Sequence, residues 1–361
     1  MVLVSVLFAI ILILGIIENY FHKNNIRRIK YRILVNGTRG KTTVSRIIIN
    51  ALNIKGIKTI GRTTGSEASI VLPDNSTVPF KRKKDARITE MISFFNFCRK
   101  NNAQCAVVEC MALLPENQRV FASKLVKPTH TVITNSYVDH IPEMGDSISS
   151  TQWALSNSIY KDSSVFVTEK EYAASFSNCT VIEDYFAQYN NLPANKESMN
   201  LSYALLKEFG ITKEEVIEAA STLAKDVGLH DRIDIKDNLA FYPYFSINDF
   251  TTMSRAISSI ANTGKINLIF NNRKDREYRI LQFEKALYEN VEKINKVYVI
   301  GDYPKKVIRY CQRYCKVEYI ALDVDELNRI IREDNDAIYL GLGNIKGPGE
   351  ALVREFLIKE S

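Results

Sequence analysis

The chain has 361 residues, 46% apolar and 25% charged, with a formal charge of +7 at neutral pH. That length accommodates two soluble domains plus extras, and that balance belongs to packed proteins rather than disordered ones. The mild basic excess suits an anionic ligand. With no zinc-finger spacing and no aromatic-rich nucleic-acid module, a nucleic-acid partner is excluded.

From Val2 to Ile17 every residue is apolar except Ser5 and Gly15. With Tyr20 and Phe21 the segment makes a helix of about 30 Å, the thickness of a bilayer core. A cleaved signal peptide would carry a basic residue before the apolar run and small residues after it, and neither stands here. Lys23, Arg27, Arg28, Lys30 and Arg32 follow the run instead. Basic residues stay on the cytoplasmic side, so a single-pass anchor is expected in the cell membrane, with the body cytoplasmic. The expected division is an anchor over 1–21, a basic juxtamembrane linker over 22–30, and domains over 31–232 and 233–361.

Tyr31 to Val35 is an apolar strand, and Val44 to Leu52 a helix. Between them runs Asn36-Gly37-Thr38-Arg39-Gly40-Lys41-Thr42-Thr43. A strand, a glycine-bearing turn and a helix N-terminus form a phosphate site, because the free N–H groups of the first turn point at the anion. Lys41 would set an ammonium between the outer phosphates, and the Thr42 hydroxyl would be an oxygen ligand for Mg²⁺. The full G-x-x-x-x-G-K-[ST] pattern is not met, because its first glycine falls on Val35; an ordinary helix N-cap is the alternative.

Lys58 to Gly61 begins a second strand, which leads into the polar loop Arg62-Thr63-Thr64-Gly65. Ser69 to Leu72 and Thr77 to Phe80 read as a hairpin, and Lys81-Arg82-Lys83-Lys84 follows as either a solvated face or a cradle for carboxylates. Arg87 to Lys100 has helical spacing. Gln104 to Cys110 is a buried-strand pattern with Glu109 at its carboxyl end, where open parallel sheets bind ligands. A strand over 129–134 runs into Asn135…Asp139-His140, and the acid before His140 favours a metal or phosphate contact over a core role. Helices are expected at 147–160, 196–209 and 213–226, with strands at 164–168 and 180–182. Beyond His230-Asp231-Arg232 a βαβ rhythm restarts, with strands near 239–245, 266–271, 296–301, 317–320 and 336–341: a second parallel-sheet domain. The six cysteines include no C-x-x-C pair and are read as reduced core thiols.

These motifs resemble the Mur ligase superfamily, ATP-dependent amide-forming enzymes. Gly37 to Thr43 match its phosphate loop, Glu109 its Mg²⁺-binding acid, and Asn135…Asp139-His140 its N-x-x-x-D-H motif. The chain is most similar to one branch, the membrane-anchored ligase subunit of poly-γ-glutamate synthase. Thr63-Thr64-Gly65, Lys81-Arg82-Lys83, Glu109-Cys110-Met111-Ala112, Asn248-Asp249, Asn271-x-Arg273-x-Asp275-Arg276 and Gly341-x-Gly343-Asn344 carry that likeness.

The resemblance implies an α/β chain: a transmembrane helix, a central-domain-like ATPase with a parallel sheet, and a smaller Rossmann-like C-terminal domain. It implies ATP and Mg²⁺, with Gly37, Thr38, Arg39, Gly40, Lys41, Thr42 and Thr43 on the phosphates. Thr42, Glu109 and His140 would hold metal, with Lys41, Glu109 and His140 as the catalytic set, and Arg232, Asp249 and Arg273 would contact the nucleotide. Arg62, Thr63, Thr64, Lys81, Arg82 and Lys83 are candidates for binding glutamate and the poly-γ-glutamate chain. Small membrane subunits and an oligomer are further expectations. A folylpolyglutamate-synthase-like ligase and a membrane-tethered regulatory NTPase or kinase are the rival readings. The carbamylated lysine of many Mur ligases has no counterpart in Trp153 to Ser158, and Lys161 lies too far along.

Overall fold

The structure, a computed structural model, describes residues 2–64, 68–80, 82, 86–189, 191–223, 232–261, 264–313 and 317–357. It divides into two compact units, Met1–Leu223 and Ala224–Ser361.

The first unit opens with α1 (Val2–Arg27), long and apolar enough to cross a membrane and exposed along its apolar stretch. A linker was expected from residue 22, yet the helix runs on to Arg27. His22, Asn25 and Ile26 are buried against the unit, and His22 Nε2 donates to the Leu125 carbonyl at 3.1 Å. Those contacts come from distant parts of the chain, so a polar H-K-N-N run looks like a linker in the sequence.

Next come β1 (Tyr31–Asn36), α2 (Lys41–Ile54), β2 (Thr59–Thr63), β3 (Ser69–Val71), β4 (Thr77–Pro79), α3 (Glu90–Lys100) and β5 (Cys105–Glu109). They are followed by α4 (Pro115–Val120), β6 (His130–Ile133), α5 (Ile141–Met144), α6 (Ile148–Ser156) and β7 (Ser164–Val167). The unit closes with α7 (Lys170–Ala173), β8 (Cys179–Val181), α8 (Lys196–Leu206) and α9 (Lys213–Ser221). The sheet order is β4-β3-β2-β5-β1-β6-β7-β8, parallel except for the β2–β3–β4 meander. β1 lies between β5 and β6, with Val35 level with Glu109 and Asn36 level with Ile133. The ends of three neighbouring strands therefore bring the phosphate loop, Glu109 and the Asn135–His140 segment to one edge, where open parallel sheets bind their ligands.

α2 is buried on almost every side. Val44, Ile47, Ile48, Ile49 and Leu52 pack in one core with Met199, Leu201 and Leu205 of α8 and Val216 of α9. Each wholly buried isoleucine there contributes about 1.5–3 kcal/mol, which fixes the helix that carries Lys41 and Thr42. A second core gathers Ile26 of α1, Phe94 and Phe95 of α3, Val108 and Phe121.

The second unit contains β9 (Ile233–Lys236), β10 (Leu239–Tyr242), α10 (Phe250–Ile260), β11 (Ile266–Asn272), α11 (Arg279–Glu289) and β12 (Ile294–Gly301). It ends with α12 (Pro304–Cys311), β13 (Glu318–Ala321), α13 (Val324–Glu333), β14 (Ala337–Gly343) and α14 (Pro348–Leu357). Its strands run β13-β12-β11-β14-β10-β9, parallel throughout except for the β9–β10 hairpin. The expected parallel sheet thus gains an antiparallel edge strand, joined through Asp237-Asn238.

Candidate active site

The phosphate loop is shaped by its two glycines. Gly37 has φ +127°, and a Cβ there would sit 2.1 Å from Thr134 Oγ1 and 2.9 Å from the Thr134 nitrogen, so only glycine lets the loop lie against the residue that follows β6. Gly40, at φ +77°, is the N-cap of α2 and supplies no side-chain cap. The first N–H groups of α2 therefore remain available to an anion. Asn135 fixes the rest of the loop. Its Oδ1 accepts from the Arg39 N–H at 3.0 Å and the Thr38 hydroxyl at 2.8 Å. Its Nδ2 and the Thr134 hydroxyl both donate to the Arg39 carbonyl.

Lys41 Nζ donates to the Gly37 carbonyl at 2.6 Å and the Thr38 carbonyl at 3.4 Å, which lays the ammonium across the loop. Desolvation pulls its pKa below the ordinary lysine value; Glu109 and Asp139 oppose that shift and Arg39 adds to it. A polyphosphate would supply the negative charge this desolvated cation lacks.

Glu109 is 3% exposed. The Thr42 hydroxyl lies 3.2 and 3.1 Å from its two carboxylate oxygens, and the Thr64 N–H donates to Oε2 at 2.7 Å. A hydroxyl beside a carboxylate is a hard-oxygen donor set that suits Mg²⁺, which takes one or two carboxylates and completes its shell with phosphates and water. The adjoining Cys110 thiol is pushed up to about 12, chiefly by burial, so no thiolate competes there. Among the described residues no three His, Cys, Asp or Glu side chains converge on a metal position. The residues present thus fit a metal held partly by nucleotide.

Asp139 is buried, and its Oδ2 pairs with Arg39 at 3.0 Å. Its Oδ1 accepts the His140 N–H at 2.9 Å, which holds His140 at φ +53° on the threshold of α5. Arg39, expected on phosphate, is thus paired with Asp139. Lys161 is exposed beyond the end of α6. Sequence reasoning missed the support beneath the loop: buried Asn36 donates to Gln118 Oε1 at 2.8 Å and Ser158 Oγ at 2.9 Å. No local pattern signals a contact that spans 122 positions.

The expected carboxylate cradle is differently built. Arg62 is wholly buried, its guanidinium bonded to Glu90 and stacked 3.7 Å from the Phe80 ring centroid. Burial lowers its pKa to about 10. Glu90 also accepts from Arg82 at 3.0 Å. The Thr63 hydroxyl bonds to Ser69 at 2.7 Å, whereas Thr64 reaches the site through its N–H on Glu109. Lys81 and Lys83 lie outside the described residues. Glu90, which the sequence did not single out, carries the buried charge of Arg62. Glu90→Gln should destabilise the protein by about 2–3 kcal/mol, read as a lower midpoint in urea; an unchanged midpoint would show that Arg62 does not depend on it.

In the second unit the expected nucleotide contacts stand near strand ends. Arg232 is exposed and pairs with Asp234 at 2.5 Å, and Arg273 pairs with Asp275 at 2.8 Å. Asp249 caps α10, accepting the Thr252 N–H at 3.0 Å. Asn271 and Asn344 interlock, with Asn344 Nδ2 on the Asn271 carbonyl at 3.0 Å and Asn271 Nδ2 on the Asn344 carbonyl. Arg279, also missed, donates to Asn344 Oδ1 from within the same buried group.

Residues 35–191 match the Mur ligase middle domain, and residues 231–358 match the poly-gamma-glutamate synthase CapB C-terminal domain. Among curated proteins the chain is similar to PGA synthase CapB of Bacillus subtilis (strain 168), 25% identical over 98% of this chain and 97% of that one. It is also similar to the capsule biosynthesis protein CapB of Bacillus anthracis, 25% identical over 97% of this chain and 82% of that one. In fold it resembles E. coli FolC in complex with ADP (TM-score 0.71, 11% identity, 95% of this chain and 92% of that chain). MurF from Acinetobacter baumannii gives a TM-score of 0.67 at 14% identity over 95% of this chain and 80% of that chain. The strand-end grouping of phosphate loop, Glu109 and Asp139-His140 and the two domain matches agree, and the chain belongs to the Mur ligase superfamily, in its poly-γ-glutamate synthase family.

Proposed function

We propose that this chain is an ATP-dependent amide ligase that joins glutamate through γ-linkages into poly-γ-glutamate. The observation that carries the reading is the meeting of Lys41, Thr42 and Glu109 at the N-terminus of α2; the family supplies the substrate class.

A carboxylate does not react with an amine at neutral pH, because its oxygen leaves poorly. ATP supplies the phosphoryl group that makes an acyl phosphate; the amine then forms the C–N bond as the C–O bond to phosphate breaks. Phosphoryl transfer needs positioning and charge neutralisation above all. The loop from Gly37 to Thr43 positions the phosphates on backbone N–H groups, and Lys41 neutralises them. Thr42 and Glu109 would hold Mg²⁺, with His140 at a second metal; a bound Mg²⁺ polarises phosphoryl oxygens. Arg232, Asp249 and Arg273 are proposed nucleotide contacts of the second unit. Lys81, Arg82 and Lys83 would meet the polyanionic acceptor. In this reading α1 anchors the chain in the cell membrane with the catalytic units cytoplasmic, beside small membrane subunits and within an oligomer.

The test is ADP and phosphate release from membranes given ATP, Mg²⁺ and each glutamate enantiomer, followed by analysis of the product linkage. Glutamate-stimulated release with γ-linked product is expected. ATP turnover that ignores glutamate would favour a tethered NTPase and overturn the ligase reading.

A further inference from the structure

A cavity of about 830 Å³ opens between the C-terminal end of α1 and the outer face of α3. Phe21, Arg28, Asn24, Asn96 and Arg99 line it, with Glu18 as the carboxylate among its lining residues. Its volume is that of a small-molecule site. The walls are fixed: Ile26 is buried in one core with Phe94 and Phe95, and His22 packs edge-on against Phe95 with ring centroids 5.9 Å apart. Arg99 donates to Asn96 Oδ1 at 3.4 Å, and among the described residues neither Arg28 nor Arg99 forms an ion pair with a carboxylate. Two arginines against one glutamate leave the pocket net positive.

Its depth is set by α1. The exposed apolar stretch ends at Ile17, and Tyr20 and Phe21 follow, 68% and 57% exposed. Aromatic side chains beyond an apolar span sit at the headgroup level of a bilayer. A pocket whose lining combines Phe21 with Arg28 and Arg99 therefore lies where lipid phosphates lie. Arginine suits phosphate because its fork of N–H donors matches the anion's oxygens.

We propose that this pocket binds the phosphate headgroup of an anionic phospholipid, whose acyl chains lie along the exposed apolar stretch of α1. The proposal rests on the membrane-anchored reading above and is independent of the ligase chemistry. Bound there, the headgroup would bridge α1 and α3 where α1 leaves the first unit.

The full chain, purified from membranes in a non-ionic detergent, is titrated with dihexanoylphosphatidylglycerol, dihexanoylphosphatidylcholine and inorganic phosphate, with binding read by native mass spectrometry. Saturable binding of the phosphatidylglycerol is expected, stronger than that of the other two. Arg28→Gln with Arg99→Gln should weaken it roughly tenfold or more. Lys23→Gln with Lys30→Gln, the same loss of charge outside the lining, should weaken it by less than about threefold. Equal weakening by both pairs would reduce the pocket to diffuse attraction and overturn the proposal. Inorganic phosphate bound as tightly as the lipid would overturn it too, since the chains would then contribute nothing. Alkaline carbonate washing of membranes separates the two readings. Release of the chain would overturn the anchor and the lipid site together, whereas retention without arginine-dependent binding would overturn the lipid site alone.

Discussion

Lys41→Ala is expected to reduce glutamate-dependent ADP release at least ~10²-fold while leaving the fold in place. The ammonium is held by the Gly37 and Thr38 carbonyls at 2.6 and 3.4 Å, and among the described residues no carboxylate bonds it directly. Losing those two hydrogen bonds costs about 1 kcal/mol each. The desolvation that pulls the pKa of Lys41 down is relieved by the same change, so the two effects oppose each other. Thermal unfolding of the variant should shift by no more than a few degrees. Its stabilisation by ATP should vanish, because the cation that meets the outer phosphates is gone. Full activity in Lys41→Ala would remove the loop from the chemistry altogether, and a collapse of the unfolding midpoint would assign Lys41 a structural role.

How much of this site could be read in the sequence depended on whether the signal was local. Gly37, Gly40, Lys41 and Thr42 sit within six positions, and backbone chemistry alone ties that spacing to a strand, a turn and a helix N-terminus. Glu109 was legible as an acid at the end of an apolar run, and the parallel order of β5, β1 and β6 makes such an end a ligand edge. The Arg62–Glu90 pair was not legible. Arg62 reads as one more cation in a basic stretch, and only the fold of the meander and α3 encloses it beside Phe80. The same holds for His22 and Asn25, polar residues that extend α1 by docking beside a core that includes Phe94, Phe95 and Phe121, some seventy to a hundred positions away. Asn135 shows the intermediate case: the motif drew attention to it, but its clamp on Thr38 and Arg39 is visible only in the structure. Residues that hold other residues need the tertiary structure to be found, whereas those that meet phosphate carry their own spacing.

Glu109→Gln is the sharper probe of the metal proposal. Glutamine keeps the size of the side chain, and its carbonyl oxygen can still accept the Thr64 N–H, which now lies 2.7 Å from Oε2. The Thr42 hydroxyl, within 3.1 Å of the same oxygen, keeps an acceptor as well. Glu109→Ala would instead leave both donors unpaired in a buried site, at about 1–3 kcal/mol each, and would confuse misfolding with lost chemistry. The glutamine variant should unfold within a few degrees of the parent and lose at least ~10² in turnover, because the carboxylate's negative charge is what a hard divalent cation requires. Raising the Mg²⁺ concentration should restore part of that activity, since the hydroxyl of Thr42 and the nucleotide's phosphates remain as ligands. Such a shift in metal dependence is something a purely structural glutamate would not produce. Turnover equal to the parent at every Mg²⁺ concentration would mean that the acid at the end of β5 holds Thr42 and Thr64 in place and nothing more.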